Sequence, residues 1–516
     1  MAPPVIKQLS NKPANVCGKL LLFSGLTMYT MYILSSNHHC CQSSTLFPNS
    51  NHLSNDPDSI SYSPTNITHI VFGISGSSRA WNNKKWYVES WWKPNTTRGF
   101  LFLDRPPTEF LPWPLAIDPP FRVSENTSKY KEYDRHLMPY AIRMAKVIVE
   151  TFKAQNKGVR WYVMSDDDTI FFTNNLVEVL GKYDHRKYYY IGRNSECVVN
   201  NVWGSFEMGF GGAGFALSYP LAEALAKNLD VCIKRYPYVY GSDHILQSCV
   251  ADLGVPLTHE KGFHQIDLRG DISGLLSAHP QSPLLSLHHL DAVKPIFPLL
   301  NRYESLHHLM KAAKADESHL LQQTVCYHKQ TNWTFSISWG YSAHIYETFF
   351  PPSILQKPIE TFVPWKKGAF PPYMFNTRLP SNDPCESPHV FFFDTVEQST
   401  GGRIVLSYTR KWERKLPACS ASGNRSADHI AKIHVVSPVG RLISGVSDSS
   451  RRLFFPSTPS MNMNSQEYLK NPCITMGFVF IFQAGSRREC CDVLRVSDMN
   501  ATVIELRACL KDEMLA

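Results

Sequence analysis

The stretch WYVMSDDDTIFF, Trp161–Phe172, combines an apolar run, three consecutive carboxylates and a second apolar run. The first run predicts a buried strand, and Asp166, Asp167 and Asp168 follow where that strand passes into a loop. Carboxylates packed this closely repel one another and lose hydration, and a divalent cation between them turns the repulsion into coordination. The triplet therefore predicts a metal site. The alternative is a solvated turn in which Asp168 or Asn174 caps the next helix.

Strand and helix patterns alternate around this stretch. Short apolar runs predict strands, and amphipathic runs predict helices, the clearest of which places Ile142, Ala145, Val149 and Phe152 on one face. This alternation is typical of an α/β layer with a mostly parallel sheet. The predicted strands cover 69–76, 99–104, 161–164 and 187–193, and the predicted helices lie within 86–92, 140–153, 175–184 and 220–234.

Ligands of such sheets bind beyond the carboxyl ends of the strands, which is where the Asp triplet lies. A glycine-rich run, EMGFGGAGFALS, follows and includes Gly211, Gly212 and Gly214. Glycines allow a ligand to approach the backbone closely, but this spacing matches neither a dinucleotide fingerprint nor a P-loop. The run either lines the ligand pocket or makes a tight turn under the sheet.

Two later stretches carry further polar groups. YGSDHILQSCVADLGV places Asp243 at the start of an amphipathic helix, where it either caps the helix or faces a cleft. PLLSLHHLDAV brings His288 and His289 onto a short predicted strand. Taken alone, a histidine pair is more often a surface or core feature than a ligand set.

Length and composition limit the class of protein. A chain of 516 residues predicts two folded units with tails, and 43% hydrophobic with 19% charged residues is ordinary for a globular protein. The formal charge of +8 permits an anionic ligand. The basic residues are dispersed rather than clustered in a stripe, so we expect no nucleic-acid partner.

The amino-terminal region predicts a membrane anchor. Residues 1–19 carry three lysines and no acid, residues 20–36 carry no charge, and residues 37–64 are rich in Ser, Asn, His and Pro. We interpret these segments as a cytoplasmic tail, a signal-anchor transmembrane segment and a flexible stem, as in a single-pass type II membrane protein. A cleaved signal peptide fits the same pattern. Both alternatives place the rest of the chain in the secretory lumen.

Glycosylation sequons and cysteines agree with a luminal glycoprotein. Ten of the 13 cysteines lie between Cys197 and Cys509 and can pair in an oxidising compartment, although the sequence does not say which ones pair. The six sequons begin at Asn66, Asn95, Asn126, Asn332, Asn424 and Asn500.

Taken in order, WYVMSDDDTIFF, GGAGFALS, YGSDHILQSCVADLGV and SLHHLD resemble the Fringe-like β-1,3-glycosyltransferase superfamily (glycosyltransferase family 31), and more closely its plant-type branch with a domain of unknown function. The resemblance covers about residues 66–298. It implies a GT-A type fold, an α/β mixed sheet, over residues 65–300. It further implies a UDP-sugar donor, a glycan or glycoprotein acceptor, Mn²⁺, inversion at the anomeric carbon and a Golgi location.

Carried onto this sequence, the resemblance implies roles for individual residues. Asp166 and Asp167 contact the donor nucleotide, and Gly212 and Gly214 line the nucleotide-sugar pocket. In the metal site, Asp168 is one ligand and His289 the second, with His288 as the alternative if the register slips by one residue. Asp243 is the catalytic base. The requirements of the reaction agree with these roles, because attack by an acceptor hydroxyl requires a proton acceptor and the departing diphosphate requires a cation.

Two parts of the chain depart from the family pattern. The arginine that contacts donor phosphate in Fringe-like enzymes is not clearly kept, and Arg79, Lys84 and Lys85 are only candidates for its position. Residues 301–516 lie outside the shared region and predict a β-rich accessory domain that either binds acceptor glycan or shields the catalytic domain. Its predicted strands are FSISWGYSAHIY, HVFFFDTV, RIVLSYTRKW, AKIHVV and GFVFIF.

Three functions compete on this sequence. The first is a metal-dependent inverting hexosyltransferase, and the second a non-catalytic glycan-binding or scaffolding protein with the same fold. The third, a metal-dependent hydrolase, needs more metal ligands than the neighbourhood of the triplet provides. Trp203 and Phe206, just before the glycine-rich run, either stack on a sugar face or simply pack.

Overall fold

The strand that carries the Asp triplet lies at the centre of a seven-stranded sheet in the computed structural model. In this sheet β4 is flanked by β1 on one side, in parallel, and by β7 on the other, antiparallel. Four of the six strand pairs are parallel, in agreement with the predicted mostly parallel sheet. The strand order is β3-β2-β1-β4-β7-β6-β8, with bounds β1 Ile70–Ser75, β2 Arg98–Leu103, β3 Phe121–Val123, β4 Trp161–Asp166, β6 Tyr190–Gly192, β7 Phe215–Ser218 and β8 Leu257–His259.

The structure describes residues 63–133, 138, 140–155, 157–368, 370–399, 401–423, 426–440, 489–496 and 500–514. The predicted tail and anchor, nearly all of the stem and the predicted strand GFVFIF lie outside these residues. Within the described ranges, no helix has the length and apolar character needed to cross a membrane.

Helices cover the sheet on both faces. The predicted apolar face of α2 is confirmed, since Ile142, Ala145 and Val149 are buried and the Phe152 ring packs 5.5 Å from that of Tyr162. The α-helices in the described residues are α1 Trp81–Glu89, α2 Ala141–Ala154, α3 Thr173–Leu180, α4 Val198–Trp203, α5 Tyr219–Arg235, α6 Ser242–Asp252, α7 Ser273–Leu276, α8 Arg302–Ala315 and α9 Pro352–Leu355.

Three short strands complete the α/β part. β5 Ile170–Phe171 pairs antiparallel with β10 Ser286–Leu287, and β9 Leu268–Gly270 pairs antiparallel with β14 Phe362–Pro364. The second pairing ties a segment beyond residue 300 directly to the α/β part. The described residues from Pro64 onward form one compact unit, while the predicted boundary near residue 300 stays a prediction.

The C-terminal region forms an eight-stranded sheet, as predicted, that is antiparallel except for the β17–β19 pair. FSISWGYSAHIY is not one strand, because Gly340 turns the chain with a φ of 73° and divides it into a hairpin. The predicted fold class, α/β with a β-rich C-terminal region, is confirmed. The strand bounds are β11 Gln323–His328, β12 Trp333–Ser338, β13 Ser342–Tyr346, β15 His389–Ser399, β16 Arg403–Arg410, β17 Lys432–Pro438, β18 Glu489–Val496 and β19 Ala501–Ala508.

Four disulfides join the described cysteines, and the Cys197 thiol is free and buried. One disulfide links α5 to α6, and the others lie in the C-terminal region. The pairs are Cys232–Cys249, Cys326–Cys491, Cys385–Cys419 and Cys490–Cys509.

Candidate active site

The Asp triplet lies at the carboxyl end of β4, where the strand turns sharply into β5. Thr169 closes this turn, because its amide donates to the Asp166 carbonyl (3.2 Å) and its hydroxyl accepts from the Asp166 amide (3.2 Å). The register of β5 against β10 pairs Ile170 with Leu287, so the residue after Leu287 lies beside the triplet. That residue is His288, 120 positions further along the chain than Asp168.

Asp168 and His288 are in contact and buried. The Nε2 atom of His288 lies 3.1 Å from Oδ1 of Asp168 and 4.0 Å from Oδ2 of Asp166, and both Asp168 and His288 are at most 3% exposed. One potential ligand atom from each of these three residues lies within 4.8 Å of the other two. Two carboxylates and an imidazole at this spacing are a donor set that suits a divalent transition metal such as Mn²⁺.

Lys84 from α1 adds a cation to the triplet. Its Nζ lies 2.7 Å from Oδ2 of Asp168 and 3.6 Å from Oδ1 of Asp167. Burial alone would lower the pKa of Lys84, but the two carboxylates outweigh burial and raise it. Of the three basic candidates that the sequence offered, Lys84 is the one that contacts the triplet.

The electrostatics of the cluster reflect crowded carboxylates. Burial raises the pKa of Asp166 to about 7 and that of Asp167 to about 6, against the opposing effects of His288 and Lys84. Burial acts on Asp168 in the same direction, but His288 and Lys84 together hold its pKa well below the usual range. Burial would lower the pKa of His288, yet Asp168 raises it to about 9. Three carboxylates thus face two cationic side chains, which leaves room for further positive charge.

Asp243 lies near the first residue of the triplet. It is the second residue of α6, which begins after Gly241, a residue with a φ of 83°. Asp243 and Asp166 both line a small pocket of about 30 Å³. Burial raises the pKa of Asp243, which makes it a stronger proton acceptor than an exposed carboxylate.

The glycine-rich run separates Asp243 from His288. A Cβ on Gly211 would come within 2.6 Å of Oδ1 of Asp243, and a Cβ on Gly212 within 2.1 Å of Cε1 of His288. Gly214 has a φ of 82° and packs against Phe171. Glycine at 211 and 212 therefore lets the backbone pass between the two functional side chains, and the predicted contact of Gly212 and Gly214 with the nucleotide sugar stays a prediction.

His289 pairs with a different carboxylate. Its ring centroid lies 3.8 Å from that of His288, but its Nδ1 lies 3.1 Å from Oδ1 of Asp267, and its backbone has a φ of 56°. The structure therefore brings His288, the alternative in the sequence-based assignment, to Asp168. His289 belongs to a neighbouring cluster.

The neighbouring cluster was not predicted from the sequence. The buried carboxylate of Asp267 also binds Ser195 Oγ (2.5 Å) and Asn200 Nδ2 (2.6 Å). The Trp365 ring stacks on His289 with centroids 4.7 Å apart and an interplanar angle of 5°, and the Trp365 amide donates to the Asp267 carbonyl (3.0 Å). Trp365 follows β14 directly, so the C-terminal region contributes a side chain to the site.

Two aromatic residues singled out in the sequence lie on the surface. Trp203 at the end of α4 is 76% exposed, and Phe206 is 45% exposed. Packing in a core therefore does not account for Trp203.

Comparisons with known proteins show which proteins part of the chain resembles. A model of a protein family of unknown function, DUF604, matches residues 200–452. The β-1,3-glucosyltransferase of Mus musculus is 31% identical over 120 residues and that of Homo sapiens 30% identical over 120 residues. Each match covers 23% of this chain and 23% of the relative. The resemblance to the Fringe-like β-1,3-glycosyltransferase superfamily is thereby confirmed.

Two solved structures are also similar to part of the chain. Mouse xyloside xylosyltransferase 1, in its apo form, is 10% identical with a TM-score of 0.23, over 40% of this chain and 85% of its own. Core-mannan synthase A from Aspergillus fumigatus, in its Mn/GDP form, is 12% identical with a TM-score of 0.23, over 42% of this chain and 80% of its own.

Proposed function

We propose that this protein is a metal-dependent inverting glycosyltransferase. It transfers a hexose or N-acetylhexosamine from a UDP-sugar to a hydroxyl of a glycan or glycoprotein and forms a β-1,3 linkage. The observation that carries the proposal is the position of Asp166, which belongs to the cluster with Asp168 and His288 and also lines a small pocket together with Asp243. The curated relatives, which are β-1,3-glucosyltransferases, support the reaction class.

Asp168 and His288 are the side chains that would hold the divalent ion, with Asp166 as a third ligand. When bound, Mn²⁺ would neutralise the negative charge that develops on the departing diphosphate. The excess of carboxylates over cations in the cluster fits this role. We assign the second protein ligand to His288 rather than His289, because the imidazole of His289 is engaged with Asp267 and Trp365.

Asp243 would act as the general base. In an inverting transfer, the acceptor hydroxyl oxygen bonds to the anomeric carbon while the bond from that carbon to the UDP phosphate oxygen breaks. The hydroxyl proton passes to the Asp243 carboxylate. The raised pKa of Asp243 favours this step, because a stronger proton acceptor lowers the barrier to attack.

We also propose that the protein is anchored in the Golgi membrane as a single-pass type II protein with its catalytic part in the lumen. The basic tail, the uncharged segment at 20–36 and the sequons support this location. The four disulfides agree with an oxidising compartment.

Calorimetry of the purified full-length protein with a panel of nucleotide sugars tests the proposed function. We expect a UDP-sugar to bind in the presence of Mn²⁺ and to bind much more weakly without it. Transfer to a glycan, or slow hydrolysis of the donor, should follow with the same sugar. Tight Mn²⁺-dependent binding of UDP without turnover of any donor would instead favour a glycan-binding or scaffolding protein, and no binding of any nucleotide sugar would contradict both.

The stack of Trp365 on His289 leads to a prediction about the C-terminal region. Trp365→Ala removes the stacking partner of the residue next to His288, so His288 should be held less firmly and the affinity for UDP with Mn²⁺ should fall about tenfold. Trp365→Phe should recover most of this loss, because it keeps an aromatic face. The measurement is calorimetric titration of UDP at saturating Mn²⁺.

The matched control is Trp412→Ala, which removes a tryptophan that is 59% exposed just beyond β16. It should leave the UDP affinity unchanged. If Trp365→Ala also leaves the affinity unchanged, the C-terminal region does not support the metal site.

A further inference from the structure

A cavity of about 810 Å³ lies between the α/β part and the C-terminal sheet. Leu287, the last residue of β10, lines this cavity, while the next residue, His288, faces Asp168. The cavity is therefore separated from the Asp triplet by the segment that carries His288. Its volume lies within the range of small-molecule binding sites.

Buried histidines bind the two carboxylates that line the cavity. Glu489 accepts hydrogen bonds from His319 Nε2 (2.9 Å) and Thr324 Oγ1 (2.6 Å), and Glu489 and Asp316 raise the pKa of His319 to about 9 against the effect of burial. Glu196 lies 3.0 Å from Nδ1 of His264.

A hydrogen count shows that the Glu196 group is neutral as a whole. Nε2 of His264 lies 3.0 Å from Nε2 of His279, and Nδ1 of His279 lies 2.9 Å from the Pro280 carbonyl, which only accepts. The three contacts require three hydrogens shared among one carboxylate and two imidazoles. Each neutral imidazole carries one N–H hydrogen, which accounts for two of the three. The third hydrogen lies either on the Glu196 carboxylate or on an imidazole that becomes cationic, so the group has no net charge.

Three basic side chains on the cavity wall have no such compensation. Arg193 follows β6, Lys261 follows β8, and Lys357 follows α9. Among the described residues, no carboxylate lies within ion-pairing distance of any of them. Lys261 is exposed to solvent, so the cavity opens to the outside at its side. The wall thus carries three basic side chains that have no carboxylate partner among the described residues.

The remaining wall suits a sugar chain. Amide side chains of Gln281, Gln356 and Asn376 can hydrogen-bond hydroxyl groups, and the ring of Phe375 offers an apolar face for the C–H groups of a pyranose. A guanidinium pairs with a carboxylate or sulfate through two parallel hydrogen bonds, which makes Arg193 the natural anchor for an acidic group.

We infer that this cavity binds an acidic oligosaccharide, a segment of glycan that carries carboxylates or sulfates, through Arg193, Lys261 and Lys357. The site is distinct from the proposed donor site and does not require the metal. It would give the protein a second point of contact with an acidic glycan.

Calorimetry of the full-length protein with three oligosaccharides tests the inference. The probes are trigalacturonic acid, a sulfated heparin tetrasaccharide and the neutral trisaccharide maltotriose. We expect at least one acidic probe to bind about tenfold more tightly than maltotriose, and the comparison of the two acidic probes separates carboxylate from sulfate as the recognised group. Equal affinity for maltotriose and both acidic probes would overturn the inference.

Charge-removing variants distinguish binding in this cavity from non-specific attraction of an acidic probe to a basic protein. Arg193→Gln with Lys357→Gln keeps a polar, unbranched side chain at both positions while removing two charges, and it should weaken binding of the preferred acidic probe at least about tenfold with an unchanged melting temperature. Lys234→Gln, which removes an exposed charge from α5, should have no effect. An equal loss of affinity in the double variant and in Lys234→Gln would mean that the probe is attracted non-specifically. Unchanged affinity in the double variant would contradict binding in this cavity.

Asp168→Asn distinguishes failure of this inference from failure of the proposed function. It should weaken Mn²⁺-dependent UDP binding by at least about tenfold while leaving binding of the acidic probe unchanged. Loss of acidic-probe binding in this variant would place the probe in the donor site and overturn the assignment to the cavity.

Discussion

Asp243→Asn is expected to lower sugar transfer by about two to four orders of magnitude while the fold and UDP binding are kept. The amide matches the carboxylate in shape, so it can still sit between Gly211 and Ser242, but it cannot accept the hydroxyl proton. A loss of this size corresponds to roughly 3–5 kcal/mol of barrier. The loss of an exposed helix-cap interaction costs only about 1 kcal/mol of stability and does not slow a chemical step.

The surroundings of Asp243 support this expectation. It lines the same pocket as Asp166, and burial raises its pKa. Two other acids in this part of the chain, Asp252 and Glu260, are engaged elsewhere. Asp252, at the far end of α6, binds Tyr236 (2.7 Å) and Arg235 (2.9 Å), and Glu260 accepts from Tyr183 (2.5 Å).

The measurement is the rate of transfer, or of donor hydrolysis, at saturating donor and Mn²⁺. Asp252→Asn is the matched control, because it makes the same chemical change at the other end of the same helix, and its rate should equal that of the parent. Equal rates for Asp243→Asn and the parent would show that Asp243 only caps α6. The melting temperature of each variant shows whether a lost rate reflects a lost fold.

Local patterns in the sequence predicted the elements that position the site. The strand before the triplet ends at Asp166, and the helix that begins beside Asp243 starts at Ser242, both close to the prediction. These elements depend on apolar periodicity and helix-start residues, which are properties of neighbouring positions in the chain. The antiparallel direction of β7 could not be predicted in this way. A strand that is buried on both faces has the same apolar pattern whether it pairs parallel or antiparallel.

The choice between His288 and His289 depended on a contact that no local pattern records. β10 is only two residues long, and its pairing with β5 fixes which histidine follows the strand toward Asp168. A shift of one residue in this pairing would bring His289 to the position that His288 occupies. The left-handed backbone at His289 then turns its ring toward Asp267.

The cluster around Asp267 was missed for a similar reason. Trp365 reaches His289 only because β14 pairs with β9, which joins segments about 95 positions apart in the chain. No motif in the segment around Trp365 signals this contact. The predicted C-terminal accessory domain therefore gains a role that the sequence left open, as one wall of the candidate site.

Loss of the metal ligands is expected to have the second large effect. Asp168→Asn and His288→Ala should each weaken Mn²⁺-dependent UDP binding by at least about tenfold, because each removes one of the buried ligands and leaves the ion with fewer protein contacts. His289→Ala should have a clearly smaller effect, since His289 lies against Asp267 rather than Asp168. Comparison of the three variants therefore shows which of the two neighbouring histidines binds the metal.

Calorimetric titration of UDP at several fixed Mn²⁺ concentrations measures this loss without relying on turnover. A weakened metal site should respond to higher Mn²⁺, so the UDP affinity of His288→Ala should rise as the ion concentration increases. Asn is chosen at 168 because Ala would leave Lys84 and His288 buried without a hydrogen-bond acceptor and would destabilise the fold. Unchanged binding in both Asp168→Asn and His288→Ala would exclude this metal site, and an equal loss in His289→Ala would return the ligand role to His289.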